Sequence, residues 1–308
     1  MHLKAITSWA IMLVLMTTAS KAAVIDSYTS ATNDRFTNNG TLFEARSFNL
    51  SGIGQTSAGG WATLISPNVV VSAFHAKPDN GAVINFYPSN DSASNVVQRT
   101  VTSTNVRVGS TDLWIGVLDS NVPDTIKFYS YTDVFLTGTA PGPTVDYVVT
   151  DAGVFQDVNA FLVGRSPESF PAFQSQAIGR NRITGFAENV KFGSADNDSL
   201  IMEYDALGSS AYVTYETRFA AGDSGAPFFV ESNGDLLLLG TNAFRIDNGS
   251  TPVGSGINYI GNQSSFISGF VAINAVPEPS SLFLGATAAI AGYVVNRRRK
   301  KVNATHRD

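Results

Sequence analysis

From residue 24 to about residue 275 the chain is a succession of short runs rich in Val, Ile, Phe, Tyr and Thr, cut apart by clusters of Asn, Gly, Asp, Ser and Pro. β-Branched and aromatic side chains suit a pleated, half-buried surface, and the intervening residues suit turns. The runs Trp61–Ile65, Val69–Ser72, Val83–Tyr87, Leu113–Leu118, Val145–Val149, Leu200–Tyr204, Tyr212–Thr217, Pro227–Glu231 and Leu236–Gly240 each read as a strand. Asn39-Gly40, Asn80-Gly81, Asn233-Gly234 and Asn248-Gly249 read as hairpin turns. Helical patterning is scarce. The exception is SSFISGFVAI, where Ser264 or Ser265 caps a short terminal helix with Phe266, Phe270 and Val271 on one face. No internal repeat of useful period is present. Many short strands at this spacing imply an all-β body, either a sandwich or a pair of barrels.

The two ends differ from this body. Lys4, the apolar core Trp9–Met16 and the small residues around Ser20-Lys21-Ala22-Ala23 form the layout of a secretory signal peptide, placed at residues 1–23 as a separate N-terminal signal helix. An uncleaved anchor is the alternative. At the other end, Pro279 to Asn296 is free of charge for 18 residues, the lower limit for a transmembrane helix, and Arg297, Arg298, Arg299, Lys300 and Lys301 follow at once. With Pro277-Glu278-Pro279 in front, this layout resembles the PEP-CTERM sorting signal of Gram-negative bacteria. The resemblance implies an exosortase-type processing enzyme as a partner and a precursor held in the inner membrane through 279–296. It also implies delivery to the cell surface or beyond. A plain C-terminal anchor would share every feature except the triplet. The expected organisation is a signal peptide (1–23), one body (24–275), a sorting segment (276–301) and a short tail (302–308).

The body holds 12 Lys and Arg against 23 Asp and Glu, a net charge near −11 that basic termini hide in the whole-chain value of −5. An acidic body argues against nucleic acid as a partner. The chain has no cysteine, so export brings no disulfides and the fold relies on its core.

Chemistry is concentrated in FAAGDSGAPF, Phe219–Phe228, where Ser224 stands between Gly222 and Gly225 with Asp223 before it. A serine hydroxyl needs a base to become a useful nucleophile, and imidazole titrates in the right range. Of the three histidines, His2 belongs to the signal segment and His306 follows the basic tail, which leaves His75. It ends the stretch GGWATLISPNVVVSAFHA, Gly59–Ala76, which reads as strand, turn, strand and then small residues up to the histidine. One usable histidine and no cysteine cannot make the usual zinc sets, so no metal and no cofactor are expected.

GGWATLISPNVVVSAFHA resembles the segment that precedes the catalytic histidine of chymotrypsin-like (trypsin-like) serine proteases, and GDSGAP resembles the serine motif of that family, with Ala226 in place of a glycine. STDLWIGVLD matches the family's aspartate at the head of an apolar strand and nominates Asp112, with Asp119 and Asp124 as alternatives. The order His, Asp, Ser is the family's and not that of α/β-hydrolases or subtilisins. The resemblance implies an all-β fold of two six-stranded antiparallel β-barrels with the site between them. It implies His75, Asp112 and Ser224 as catalytic residues, and the N–H groups of Gly222 and Ser224 as oxyanion hole. It places Arg218 at the floor of the substrate pocket, with Ala243 and Phe244 in its wall; the alternative is that Arg218 points to solvent or pairs with Glu216. Removal of residues 1–23 leaves about 50 residues before His75 and no Ile-Val-Gly-Gly start, so an enzyme active without an activating cleavage is expected. The implied function is a secreted, surface-directed serine endopeptidase acting on protein or peptide. The alternative is a catalytically silent protease-fold protein that serves in binding or in an extracellular matrix.

Overall fold

The uninterrupted apolar run Val69-Val70-Val71 has no polar alternation, which suits a strand buried on both faces. In the computed structural model, which describes residues 23–274 apart from 39, 143–146, 169 and 250, that is where it lies. After a two-residue strand β1 (Val24–Ile25) and one turn of helix α1 (Ser30–Asn33), six strands close into an antiparallel barrel. They are β2 (Ile53–Thr56), β3 (Trp61–Ser66), β4 (Val69–Ala73), β5 (Val83–Phe86), β6 (Val97–Arg107) and β7 (Leu113–Leu118), in the order β2-β3-β4-β7-β6-β5.

The rest of the body is a second antiparallel system. Its strands are β8 (Val149–Thr150), β9 (Asn159–Gly164), β10 (Ala177–Arg182), β11 (Gly185–Phe192), β12 (Ala195–Glu203), β13 (Thr217–Arg218), β14 (Pro227–Ser232), β15 (Asp235–Asn248) and β16 (Thr251–Tyr259). Eight of them form one sheet in the order β10-β9-β14-β15-β16-β12-β11-β8, which curls into an open half-barrel, while β13 pairs with β1. The second barrel therefore has eight strands in place of six and does not close strand to strand. The edge at β10 is covered by the chain before β13, through the Arg180–Glu216 bridge and an Arg180 N–H donated to the Tyr215 carbonyl at 2.9 Å.

Side chains along β4 explain its composition. Val70 points into the barrel with Leu64, Phe86 and Trp114. Val69 and Val71 point outward, into an apolar layer shared with the second sheet through Phe161, Val163, Ala226, Phe229 and Leu238. The second sheet has its own core around Leu162, Phe186, Leu200, Phe228 and Tyr259. The terminal helix α2 (Ser264–Asn274) forms as expected, but Ile267, Phe270 and Val271 pack on the shared layer while Phe266 is 45 % exposed.

Asn233-Gly234 makes the expected hairpin between β14 and β15 with φ of 53° and 81°. Asn80-Gly81 instead belongs to a turn leading into β5, closed by the Ala82 N–H on the Asp79 carbonyl. The run Tyr212–Thr217 is strand only at its end, because Tyr215 sits at φ 62° and interrupts the extended path. Strands β1, β2, β6, β9, β10, β11 and β16 were not anticipated; β6, VQRTVTSTNVR, is polar at most positions and takes its strand character from its partners. Ala23, assigned by sequence to the signal segment, is buried in the body, where its N–H donates to the Arg165 carbonyl at 3.0 Å. The expected signal and transmembrane helices lie outside the described residues, among which no helix is long and apolar enough to cross a membrane.

Phe229 is fully buried in the shared layer, its ring centroid 4.7 Å from that of Tyr129. Phe229→Ala is expected to cost about 3–5 kcal/mol, read as a lowered urea midpoint in equilibrium unfolding.

Candidate active site

His75 and Asp112 meet because of strand register. Ala73, at the end of β4, pairs with Leu113, at the start of β7. The next residue on each strand continues the contact, with the Phe74 N–H on the Asp112 carbonyl at 2.6 Å. One turn of 3-10 helix, Phe74–Ala76, then brings the imidazole over the carboxylate. Asp112 Oδ1 accepts the His75 backbone N–H at 2.9 Å, and Oδ2 lies 2.6 Å from Nδ1. That contact makes Nδ1 the donor and leaves Nε2 as the basic nitrogen. The side chains are 34 % and 3 % exposed, so the imidazole is open to a ligand and its acidic partner is not. Asp119 and Asp124 lie exposed on the surface, and Asp119 accepts the Thr100 N–H instead.

Two buried amides that sequence reasoning missed complete the setting of Asp112. Asn258 Nδ2 donates to its Oδ2 at 3.3 Å and its carbonyl at 3.2 Å, and Asn197 Oδ1 accepts its N–H at 2.6 Å. Asn258 alternates with the buried Ile257 and Tyr259 on β16, a polar residue at a core position, which is the signal that could have singled it out. Phe192 packs edge-on against His75 at 5.0 Å and stacks on Phe244 at 5.9 Å.

Ser224 lies in the turn between β13 and β14. Gly222 and Gly225 have φ of 97° and 85°, a region closed to most L-residues. Gly225 also rides on the end of β4: a Cβ there would stand 2.3 Å from Ser72 Oγ and 3.1 Å from the Ala73 nitrogen. This contact brings the serine turn to the strand that carries His75. Trp61 Nε1 holds the Gly222 carbonyl at 3.0 Å. Among the described residues neither the Gly222 nor the Ser224 N–H has an acceptor, and the Ser224 hydroxyl has no hydrogen-bond partner. Serine–base contacts are often long without substrate. A cleft of about 420 Å³ opens beside Ser224 and Gly222.

Asp223 turns inward. It is fully buried, accepts the Arg165 N–H on Oδ1 and the Ala220 N–H on Oδ2, each at 2.8 Å, and forms no ion pair among the described residues. Burial pushes its carboxyl up to about 7, against the pull of the two amides and the Arg165 charge. Ala23 is its neighbour: a Cβ built on Gly164 would lie 2.7 Å from the Ala23 Cβ and 2.8 Å from Asp223 Oδ1.

The three pocket residues inferred from sequence are not among those that line the cleft beside Gly222 and Ser224. Arg218, on β13, places its guanidinium 5.1 Å from the centre of the Tyr204 ring and does not line the cleft. Burial lowers its pKa and it is half-buried, so it neither points to solvent nor pairs with Glu216, which accepts the Val213 N–H at 2.9 Å. Ala243 and Phe244 are buried against Ala187, Val190 and Ile201. Among the described residues no group of three His, Asp or Glu side chains could hold a metal ion.

The body has structural neighbours at low identity. One is a mutant of human heparin binding protein (CAP37), with TM-score 0.47 and 14 % identity over 75 % of this chain and 95 % of that one. Another is the inactivated protease paralogue S-I1 of the scabies mite, with TM-score 0.46 and 15 % identity over 71 % and 93 %. A third is the NS6 protease of murine norovirus 1, with TM-score 0.39 and 17 % identity over 68 % and 92 %. Residues 275–300 match the PEP-CTERM protein-sorting motif. No curated protein matches the chain.

Because Asp223 keeps its proton in the folded state up to about pH 7, while an unfolded aspartate loses it near pH 4, the folded state binds more protons between those values. Its contribution to stability is therefore greatest below about pH 4 and declines as pH rises through about 7. Asp223→Asn in the uncleaved chain is expected to flatten that decline, measured as the urea midpoint from pH 4 to pH 8.

Proposed function

We propose that the protein is an exported serine endopeptidase. The observation that carries this reading is the convergence of a buried, amide-held Asp112, an accessible His75 and a serine in a turn with two acceptor-free N–H groups. In the reaction, Ser224 Oγ attacks the scissile carbonyl carbon while His75 Nε2 takes its proton. The carbonyl oxygen becomes an oxyanion held by the Gly222 and Ser224 N–H groups. His75 then returns the proton to the departing amine, leaving an acyl-enzyme that water hydrolyses by the same steps. Asp112 holds the tautomer and stabilises the imidazolium. The sorting motif supports export and membrane-anchored handling by an exosortase-type enzyme, followed by surface delivery.

A fluorophosphonate probe on residues 23–274 is expected to label Ser224, with labelling abolished in Ser224→Ala and His75→Ala. Asp112→Asn is expected to lower kcat by roughly 10⁴-fold with the fold intact. A folded wild-type protein that takes no label would favour the silent binding protein instead.

Processing belongs to the same reading. The burial of Ala23 beside Asp223 supports a signal cut one residue earlier than the sequence suggested, after Ser20-Lys21-Ala22. The new ammonium would keep its bond to the Arg165 carbonyl and supply the positive charge that Asp223 lacks. The uncleaved chain would then be the inactive form, in place of an enzyme indifferent to processing. Mature protein is expected to begin at Ala23 by N-terminal sequencing and to label faster than a cleavage-blocked precursor; equal rates would return the site to independence from processing.

A further inference from the structure

Helix α2 carries apolar side chains on two faces, and the body covers only one of them. Ile267 is fully buried and Val271 packs beside it on the shared layer, with the Ser268 hydroxyl 2.8 Å from the Tyr131 hydroxyl. Phe266, Gly269, Phe270 and Ile273 follow the spacing i, i+3, i+4, i+7 and so share another face. On it Phe266 is 45 % exposed and Ile273 84 %, and a Cβ built on Gly269 would meet nothing within 4 Å. Phe270 lies at the border of the two faces, partly buried. A helix that is apolar all round is ordinarily covered all round. No Asp, Glu, Lys or Arg occurs from Ser264 to Asn274, so the outer face can leave water without burying a charge.

The chain itself sets what lies within reach of that face. Asn274 ends α2, and the sorting motif begins at the next residue, 275. Four residues, 275–278, separate the helix from the charge-free run that starts at Pro279. A fully extended chain puts Pro279 no more than about 18 Å from Asn274. That is close to the length of α2, about 16 Å for its 11 residues. A precursor held through 279–296 therefore keeps α2 within reach of the bilayer surface. A second copy of the chain is a poor cover, because a face one such helix long offers about 160 Å² where a stable interface buries about 800 Å² a side.

We infer that α2 lies on the lipid surface of the membrane that holds the precursor, with Phe266, Phe270 and Ile273 turned into the boundary between headgroups and acyl chains, as the apolar faces of interfacial helices do. The inference rests on the anchoring part of the proposed function and not on its catalytic part. It fixes which end of the body meets the membrane. Asn68 Nδ2 donates to the Asn274 carbonyl at 3.0 Å, so the end of α2 rests on the turn between β3 and β4. Strand β4 starts at that turn and carries the chain about 17 Å, five residues of strand, towards His75. The catalytic end of β4 is the end remote from the docked helix, and the cleft beside Ser224 stays open to water and to substrate.

The chain has no cysteine, so one introduced cysteine gives a single labelling site. The chain from Ala23 to Asp308, with a polarity-sensitive fluorophore at Gly269→Cys, is reconstituted into vesicles of phosphatidylethanolamine and phosphatidylglycerol. Its emission is expected to shift to the blue and to lose intensity when the acyl chains carry bromine. The same label at Asp79→Cys, in the wall of the cleft, is expected to do neither. Phe266→Ser with Ile273→Ser should abolish both effects at position 269 and leave the near-UV circular dichroism unchanged, because both side chains are exposed. Phe266→Leu with Ile273→Leu should retain them. A blue shift that bromine does not quench means that protein covers the face, and overturns the inference. So does a label at 269 that stays in water on an anchored chain, and quenching at 79 overturns the placement of the cleft. A chain that does not float with the vesicles after an alkaline wash overturns the anchored precursor, and the docking with it.

Discussion

The apolar layer between the first barrel and the second sheet has to position the two halves without covalent help, because the chain has no cysteine. His75 and Asp112 belong to the barrel, and Ser224 belongs to the turn leading into the second sheet. Their relation is therefore a packing outcome. Val69, Val71, Leu113 and Ile115 press against Phe161, Val163, Ala226 and Phe229, and the residues at the edge of that layer are those next to the chemistry. Ala226 is two residues from Ser224, and Leu113 follows Asp112. A close-packed layer resists small displacements, and that is what a constellation divided between two sheets requires.

Asp223 and Arg165 tie the serine turn to the rest in a second way. A buried carboxylate is costly unless donors surround it, and Asp223 has two backbone amides, one of them from Arg165. Arg165 then reaches the first barrel with its side chain and the N-terminal segment with its carbonyl. One residue thus joins the N-terminal segment, the serine turn and the facing turn of the barrel. Residue 165 stands outside every motif, so nothing in the local sequence marks it.

What the chain disclosed in advance was what local patterning can carry. The hairpin ending at His75 has an apolar run on each side of a Ser-Pro-Asn turn, and the serine turn has glycines where positive φ is needed. Both are short-range features and both are found in place. Strand β6 was invisible because its Thr, Ser, Asn and Gln residues pair well only when neighbours are supplied. Asn197 and Asn258 reach Asp112 from strands 85 and 146 residues away, a distance no window spans. The setting of Arg218 over the Tyr204 ring was illegible for the same reason, because the two residues lie on separate segments that local patterning does not join. The two barrels were anticipated as a pair of six strands, whereas the second is an open sheet of eight with β8 at one edge and the chain before β13 covering the other.

Strand β4 has β3 on one edge, β7 on the other, and apolar packing on both faces. Its amides belong to the part of the fold expected to exchange slowest, since core strands open last. His75 sits two residues past this strand. The imidazole is consequently anchored, through one turn of 3-10 helix, to a strand that opens late. The serine turn can therefore rearrange while the imidazole–carboxylate pair stays assembled on the barrel, so the two parts of the site differ in how tightly the fold holds them.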